Sequence, residues 1–266
     1  MKFWYPTLLA ALISTSASAV EDLRVPGGVA VIPVEADAQP RFNGKPVLTI
    51  QENGQSLAVV GLALSTEPGD YTLESDGQRI PFTVSPKKYL EQRIYLENKR
   101  HVTPNTLDLD RIKKESQKQR GALDAFGGKL DSVQMILPVE GPISGPFGKR
   151  RFFNDQPRRP HSGTDIAAPA GTPIKVAASG RVSLVGDFFF NGRLVVVDHG
   201  EGLKTMYNHM DRIDVKENQV VSRGESIGTV GSTGRSTGPH LHLGVILNGV
   251  SVDPALFIPQ IRSLPQ

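Results

Sequence analysis

Six histidines and no cysteine frame the chemistry available to this chain. Any metal site must then be built from His, Asp or Glu. His240 and His242 lie in Gly238-Pro239-His240-Leu241-His242-Leu243-Gly244-Val245-Ile246-Leu247, where Leu241, Leu243, Val245 and Leu247 alternate with the other four residues. This period of two predicts a strand with the leucines and Val245 in a core and both imidazoles on the opposite face. On a helix the pair would stand about 200° apart and could not share a site. Two imidazoles on one strand face serve either as metal ligands or as acid–base groups. A second constellation is His161-Ser162-Gly163-Thr164-Asp165. Gly163 and the following Ala168-Pro169 argue against a helix, and on an extended segment positions i and i+4 share a face, so His161 and Asp165 could bind one metal. In Met206-Tyr207-Asn208-His209-Met210 the alternation predicts Tyr207 and His209 on one strand face and the other three residues on the opposite one. His101 reads as an ordinary surface histidine, and His199 in Asp198-His199-Gly200 as structural.

The elements that must position these groups are mostly strands. From Pro138 onward, strand-like runs at 173–177, 181–185, 193–198, 204–208, 226–230 and 241–247 are punctuated by Gly180, Asn191-Gly192, Gly200, Gly202, Gly224 and Gly231. No helix longer than about two turns is expected after residue 130. Residues 20–85 also read as β. Runs at 29–34, 47–50, 57–62, 71–73 and 80–84 are separated by Asn43-Gly44, Asn53-Gly54, Pro68-Gly69-Asp70 and Asp76-Gly77, which predicts a small β-sandwich. Residues 86–137 are polar and rich in Lys and Arg. They read as a linker holding one helix over 108–125, with Thr106 as N-cap and Gly127-Gly128 as its end. Leu109, Ile112, Leu123 and Phe126 would form its apolar stripe, interrupted by Ser116 and Gln119. The expected organisation is therefore 1–19, 20–85, 86–137, 138–258 and a tail over 259–266, in an all-β-dominated chain.

The chain has 266 residues, enough for two modest domains, and a formal net charge of +3. That charge is too small to argue for nucleic acid, and none is expected as a partner. Residues 1–19 read as a secretory signal: Lys2, the apolar run at 8–13, then Ala17-Ser18-Ala19 as a cleavage site. No cysteine follows Ala19, which argues against a lipoprotein anchor, and no other long apolar run suggests a membrane span. The expected location is outside the cytoplasm, in the periplasm.

Taken together, His161-x-x-x-Asp165, Tyr207-x-His209 and His240-Leu241-His242, in this order within a β domain, resemble the lysostaphin-like zinc metallopeptidases of peptidase family M23, the LytM-type domain. The phrases at 165–173, 178–182, 198–200, 224–228 and 234–239 fit as well, and the resemblance covers about 138–257. The residues before 137 look like the β-domain and linker of Gram-negative members. The resemblance implies an antiparallel-β peptidase domain holding one Zn2+ on His161, Asp165 and His242. It implies that His209 and His240 act on the substrate, and Tyr207, Asn191 and Arg159 are expected to line it. It further implies a peptidoglycan substrate, with the D-alanyl–diaminopimelate cross-link as the bond cut. Glycine-bridge cleavage and non-catalytic regulation of amidases, both found among LytM-type domains, are the alternatives; the regulators lack ligands, and this chain lacks none. The sequence departs from many relatives in having no Tyr just before the first zinc histidine: Phe153, Arg158 and Arg159 stand there instead. Asn218-Gln219 also replaces the usual Gly-Asp before Val220, a change that Asn tolerates because it adopts left-handed backbone. Arg150, Arg151, Arg158 and Arg159 form a basic loop, suited either to an anionic wall or to solvent.

Overall fold

The computed structural model describes residues 20–96 and 99–265; the segment read as a signal lies outside the described residues. Seven strands open the chain: β1 (Val29–Val34), β2 (Arg41–Phe42), β3 (Lys45–Pro46), β4 (Leu48–Glu52), β5 (Gln55–Gly61), β6 (Gly69–Ser75) and β7 (Gln78–Val84). They form one sheet of order β1-β5-β4 and another of order β3-β2-β6-β7. At Asn43-Gly44, Asn53-Gly54 and Asp76-Gly77 both residues take positive φ, the geometry of two-residue hairpin turns whose twist matches the strands they join. Ala30, Ile32, Ala58, Val60, Leu73 and Phe82 fill the space between the sheets.

The first of these sheets is buried on both faces. Val29, Leu48, Ile50, Leu57 and Val59 point away from the sandwich, into a core that also contains Leu203, Val245, Leu247 and Val252 of the C-terminal half. The unbroken apolar run 57–60 is what two-sided burial requires.

The middle segment holds more than one helix. Strand β8 (Glu91–Ile94) and a 3-10 turn at Lys99–His101 precede α1 (Thr106–Asp124). The N-cap of α1 is Asn105, one residue before the expected Thr106. Asp108 N–H donates to Asn105 Oδ1 (2.9 Å) and the Asp108 carboxylate accepts from Asn105 N–H (3.4 Å). This reciprocal box needs an acid three residues after the cap, and Asp108 stands at that distance from Asn105. The expected apolar stripe is also corrected: Leu109 and Phe126 are exposed. The helix docks largely through polar side chains. Glu115 accepts from Phe189 N–H (2.7 Å), Arg111 donates to Asp187 O (3.0 Å), and Lys118 pairs with Glu217 (3.0 Å), while Ala122 and Leu123 pack on Leu184, Met206 and Ile246. These contacts recur at helical spacing on one face.

The C-terminal half contributes β9 (Ile143–Gly145), β10 (Arg150–Phe153), β11 (Gln156–Pro157), β12 (Thr164–Ala167), β13 (Pro173–Lys175), β14 (Gly180–Phe188), β15 (Gly192–Gly200), β16 (Leu203–Ile213), β17 (Val220–Val221), β18 (Ser226–Val230), β19 (His240–Leu247) and β20 (Val250–Val252). The main sheet runs β17-β14-β15-β16-β19-β12-β9, with β18 on β13 and β16, and β20 on β19. Every strand pair in it is antiparallel. Asn218 takes φ 70°, as the turn before β17 requires. A separate small sheet, β11-β10-β8, joins the middle segment to the C-terminal half, β8 lying parallel to β10. After residue 130 the helical turns among the described residues are 3-10 and short, at Pro254–Leu256 and Pro259–Ser263. The last of these packs into the core through Ile261, so the C-terminal stretch is not loose. Among the described residues, no helix is long and apolar enough to cross a membrane.

Candidate metal centre and active site

Strand register assembles the first three side chains. In the β12–β19 pair Asp165 stands opposite His242, and His161 reaches them from the loop before β12. His161 Nε2 lies 2.9 Å from Asp165 Oδ1, His242 Nδ1 lies 2.7 Å from the same oxygen, and the two ring nitrogens are 3.0 Å apart. His161 Nδ1–H donates to Pro146 O (2.9 Å), which leaves the Nε2 lone pair facing the triangle. Three atoms able to give up lone pairs thus converge with edges of 2.7–3.0 Å. Tetrahedral coordination at about 2.0–2.1 Å calls for edges of roughly 3.3 Å, so a small outward shift would admit a zinc ion. Burial lowers the His161 pKa to about 4, against the pull of the Asp165 carboxylate. Burial opposes ionisation of Asp165, yet the bonds from His161 and His242 hold it well below the usual carboxylate range. The donor set is therefore two imidazoles and one carboxylate, which suits a divalent cation and leaves one coordination position open.

His209 and His240 flank this triangle. Their rings are 4.8 Å apart, and His209 lies 6.0 Å from His242. His209 Nδ1–H donates to Thr233 O (2.7 Å), and His240 Nδ1–H to Gly238 O (2.9 Å). Neither Nε2 has a hydrogen-bond partner among the described residues, that of His240 lying 3.7 Å from Asp165 Oδ1. Burial, with the charges of His240 and His242, lowers the His209 pKa to about 3, so its imidazole is neutral at pH 7.

The route by which His209 arrives differs from the expected alternation. Tyr207 faces the core on the side away from the metal ligands, together with Leu243 and Val245, while Asn208 pairs with His242 on the ligand side. His209 should then face the core too. Instead it adopts φ 62°, its amide N–H donates to Asn191 O (2.9 Å), and the register to β15 slips there. This bulge turns His209 onto the ligand face and sends Met210 into the core. A left-handed histidine costs of order 1–2 kcal/mol and is tolerated where the surroundings hold it.

A model of the "Peptidase family M23" matches residues 159–254, and one of the "Peptidase family M23 N-terminal domain" matches 23–87. A crystal structure of a Pseudomonas aeruginosa protein assigned to peptidase M23 is 42% identical, covers 90% of this chain and 96% of its own, and superposes with a TM-score of 0.76. The chain belongs to peptidase family M23. Among curated relatives, the peptidoglycan DD-endopeptidase ShyA of Vibrio cholerae is 40% identical over 147 residues, which is 54% of this chain and 34% of ShyA. The DD-carboxypeptidase/endopeptidase Mpg of Neisseria meningitidis is 44% identical over 112 residues, 42% of this chain and 26% of Mpg. The matches thus span about a third or less of those curated relatives' lengths.

Within this M23 fold the remaining expected residues fall differently. Tyr207, expected beside the substrate, is fully buried. Its hydroxyl accepts from Ala177 N–H (2.8 Å) and lies 2.9 Å from Thr205 Oγ1, which in turn is 2.8 Å from His199 Nε2. Tyr207 and His199 are therefore parts of one buried polar chain beneath the sheet. Asn191 acts through its carbonyl on His209, and Arg159 is exposed, without a side-chain partner among the described residues. His101 is not a plain surface residue, for its ring packs edge-on against Phe189 at 5.0 Å.

The residue missed by sequence reasoning is Arg151. Its Nη2 donates to Asp165 Oδ2 (2.7 Å) and its Nε to Gln92 of β8 (3.2 Å). Two glycines are equally quiet in the sequence. A Cβ at Gly145 would fall 2.4 Å from Asp165 Oδ2, and one at Gly163 2.7 Å from His242 Nε2. The doubled Gly-Pro punctuation at 141–148 was the available signal: it forms β9 beside Asp165 and supplies the Pro146 carbonyl.

Proposed function

We propose that this protein is a zinc endopeptidase that hydrolyses peptide cross-links of peptidoglycan, at the D-alanyl–diaminopimelate bond, in the periplasm. The observation that carries this reading is the convergence of His161 Nε2, Asp165 Oδ1 and His242 Nδ1, flanked by two imidazoles with free Nε2 atoms. The ShyA and Mpg matches support the substrate class, and the apolar run before Ala17-Ser18-Ala19 supports export.

His161, Asp165 and His242 would hold the zinc, which when bound polarises the scissile carbonyl and brings the pKa of its water to about 7. Among the described residues no glutamate stands with the three ligands, and proton handling is assigned to His209 and His240. Each imidazole has its Nδ1–H fixed on a backbone carbonyl and its Nε2 open to the cleft. One Nε2 accepts the proton of the attacking water as the new C–O bond forms. The resulting imidazolium then returns that proton to the departing amine as the C–N bond breaks. The other imidazole stands beside the former carbonyl, and donates a hydrogen bond to the developing oxyanion when its Nε2 takes a proton from solvent, which it returns to solvent as the product leaves.

The test is metal content beside turnover. Wild type should bind one zinc and release D-alanyl–diaminopimelate products from purified sacculi, read by mass spectrometry. His242→Ala should lose zinc and activity together. His209→Ala and His240→Ala should keep zinc and lose ~100-fold or more in kcat. A zinc-replete, fully active His242→Ala would overturn the assignment.

A further inference from the structure

Arg151, Arg158 and Arg235 lie close enough to feel one another's charge, and two of them are held by hydrogen bonds. Arg151 is held by Asp165 and Gln92, and Arg158 donates to Val102 O (2.7 Å), Pro157 O and Gln156. The third, Arg235, lies in the loop between β18 and β19. Its guanidinium is stacked between the rings of Phe153 (4.6 Å) and Phe190 (4.4 Å), and its backbone N–H donates to Phe190 O (2.9 Å). Its side chain makes no hydrogen bond or ion pair among the described residues. Burial, with the like charges of Arg151 and Arg158, lowers its pKa to about 10, so it remains a cation at neutral pH.

This arrangement is unusual for a purely structural arginine. A hydrocarbon side chain could fill the gap between two phenylalanines without the cost of a partly buried, unpaired charge. The two rings occupy the faces of the guanidinium and leave its in-plane N–H donors as the groups still to be used. Those donors match a carboxylate, which takes two parallel bonds from one guanidinium. The loop itself belongs to the active site. Thr233, two residues before Arg235, accepts from His209, and Ser236, the residue after it, has its Oγ 3.2 Å from His240 Nδ1. A group bound at Arg235 would therefore lie alongside the bond that the two imidazoles address.

We propose that Arg235 is the receptor for a substrate carboxylate, and that it makes the enzyme select stem peptides with a free carboxylate on the amine side of the scissile bond over their amidated forms. This rests on the peptidase reading above. Two carboxylates of the acceptor stem fit the chemistry: that of diaminopimelate beside the amine of the scissile bond, and the C-terminal carboxyl of the D-alanine that follows diaminopimelate, which is not the D-alanine of the cleaved bond.

The experiment uses the zinc-loaded full chain and three synthetic cross-linked stem peptides. One has both carboxylates free, one is amidated at diaminopimelate, and one is amidated at the terminal D-alanine. Wild type should prefer the free peptide by ~10–100-fold in kcat/KM, as a bidentate charged hydrogen bond allows. Only one of the two amidations should abolish the preference, and that one names the carboxylate. Arg235→Gln should lose the same factor on the free peptide, leave the amidated one within a few-fold, and keep its zinc. Arg235→Lys, which retains the charge without the fork, should fall between them. Equal rates of wild type on all three peptides would overturn the proposal, as would an Arg235→Gln variant that still discriminates. Should Arg235→Gln fail to fold, the wild-type amidation series alone decides. Should wild type cleave none of the peptides, the peptidase reading fails and calorimetric binding of the same peptides decides the role of Arg235. Tighter binding of the free peptide, lost in Arg235→Gln, then supports it, and equal binding overturns it.

Discussion

Asp165 serves several partners at once. Its Oδ1 faces His161 and His242, and its Oδ2 accepts from Arg151. Arg151 thus fixes the carboxylate plane so that one oxygen is turned toward the two ring nitrogens. Residues that orient a metal ligand in this way typically change metal affinity by ~10–100-fold when removed. Arg151→Met should therefore weaken zinc binding by about that factor in a competition titration with a chelator. At saturating zinc its turnover should recover most of the loss. Unchanged zinc affinity would mean that Arg151 is a substrate contact instead. Gln92→Ala, which removes the brace behind Arg151, should give a smaller shift in the same direction.

Strand β16 presents His209 on the face of the site, while β15 and β16 together hold a buried polar chain on the other face. His199 donates from Nδ1 to Ser179 O (2.9 Å) and receives Thr205 at Nε2, with Asp198 and Lys204 as the nearby charges. Burial is the main cause that lowers its pKa from 6.5 to about 4, with the Lys204 charge adding to it. Between those values the unfolded chain binds the proton that the folded one refuses, so the contribution is complete above about pH 6.5 and is lost as pH falls toward about 4. The full shift corresponds to roughly 3 kcal/mol. Urea unfolding at pH 7 and pH 4.5 should show a smaller drop in stability for His199→Gln than for wild type. The same drop in both proteins would remove His199 from the account. The polar chain also explains why an aromatic hydroxyl stands two residues before His209. Tyr207 anchors the strand from below, and the bulge that follows presents the histidine above.

The N-terminal sandwich and the peptidase half are joined through a common core rather than by a flexible tether. Leu48, Leu57 and Val59 pack with Leu247 and Val252 at the end of β19 remote from His242. Leu247 stands five residue steps along β19 from His242, about 17 Å. The sandwich therefore buttresses the sheet from afar, and the middle segment forms the wall of the cleft through β8, His101 and Val102. Calorimetry should show one cooperative transition for the described chain. Leu48→Ala should lower the stability of the whole by ~2–5 kcal/mol, and the zinc site should melt with it. Two separate transitions, with the metal retained through the first, would show independent halves. Removal of residues 20–85 should expose the core face of β19 and β20 and destabilise the peptidase half.

Local rules were enough for much of this molecule. Alternation at 240–247 placed two imidazoles on one face, the Asn-Gly and Asp-Gly pairs specified hairpins, and the spacing of His161 and Asp165 put them on one side of an extended segment. These features depend on neighbours within a few residues, where steric and periodic constraints act directly. The bulge at His209 could not be read that way, because it is held by Asn191 and the register of a partner strand. Nor could the position of Arg151, which depends on a parallel pairing between segments some sixty residues apart. The run 57–60 announced burial, but which half of the chain would cover its second face was decided only when the sheets packed. The unpaired Arg235 belongs to the same class. A guanidinium is an ordinary surface group until two phenylalanines, one from β10 and one from the β14–β15 turn, close around it and no carboxylate follows among the described residues.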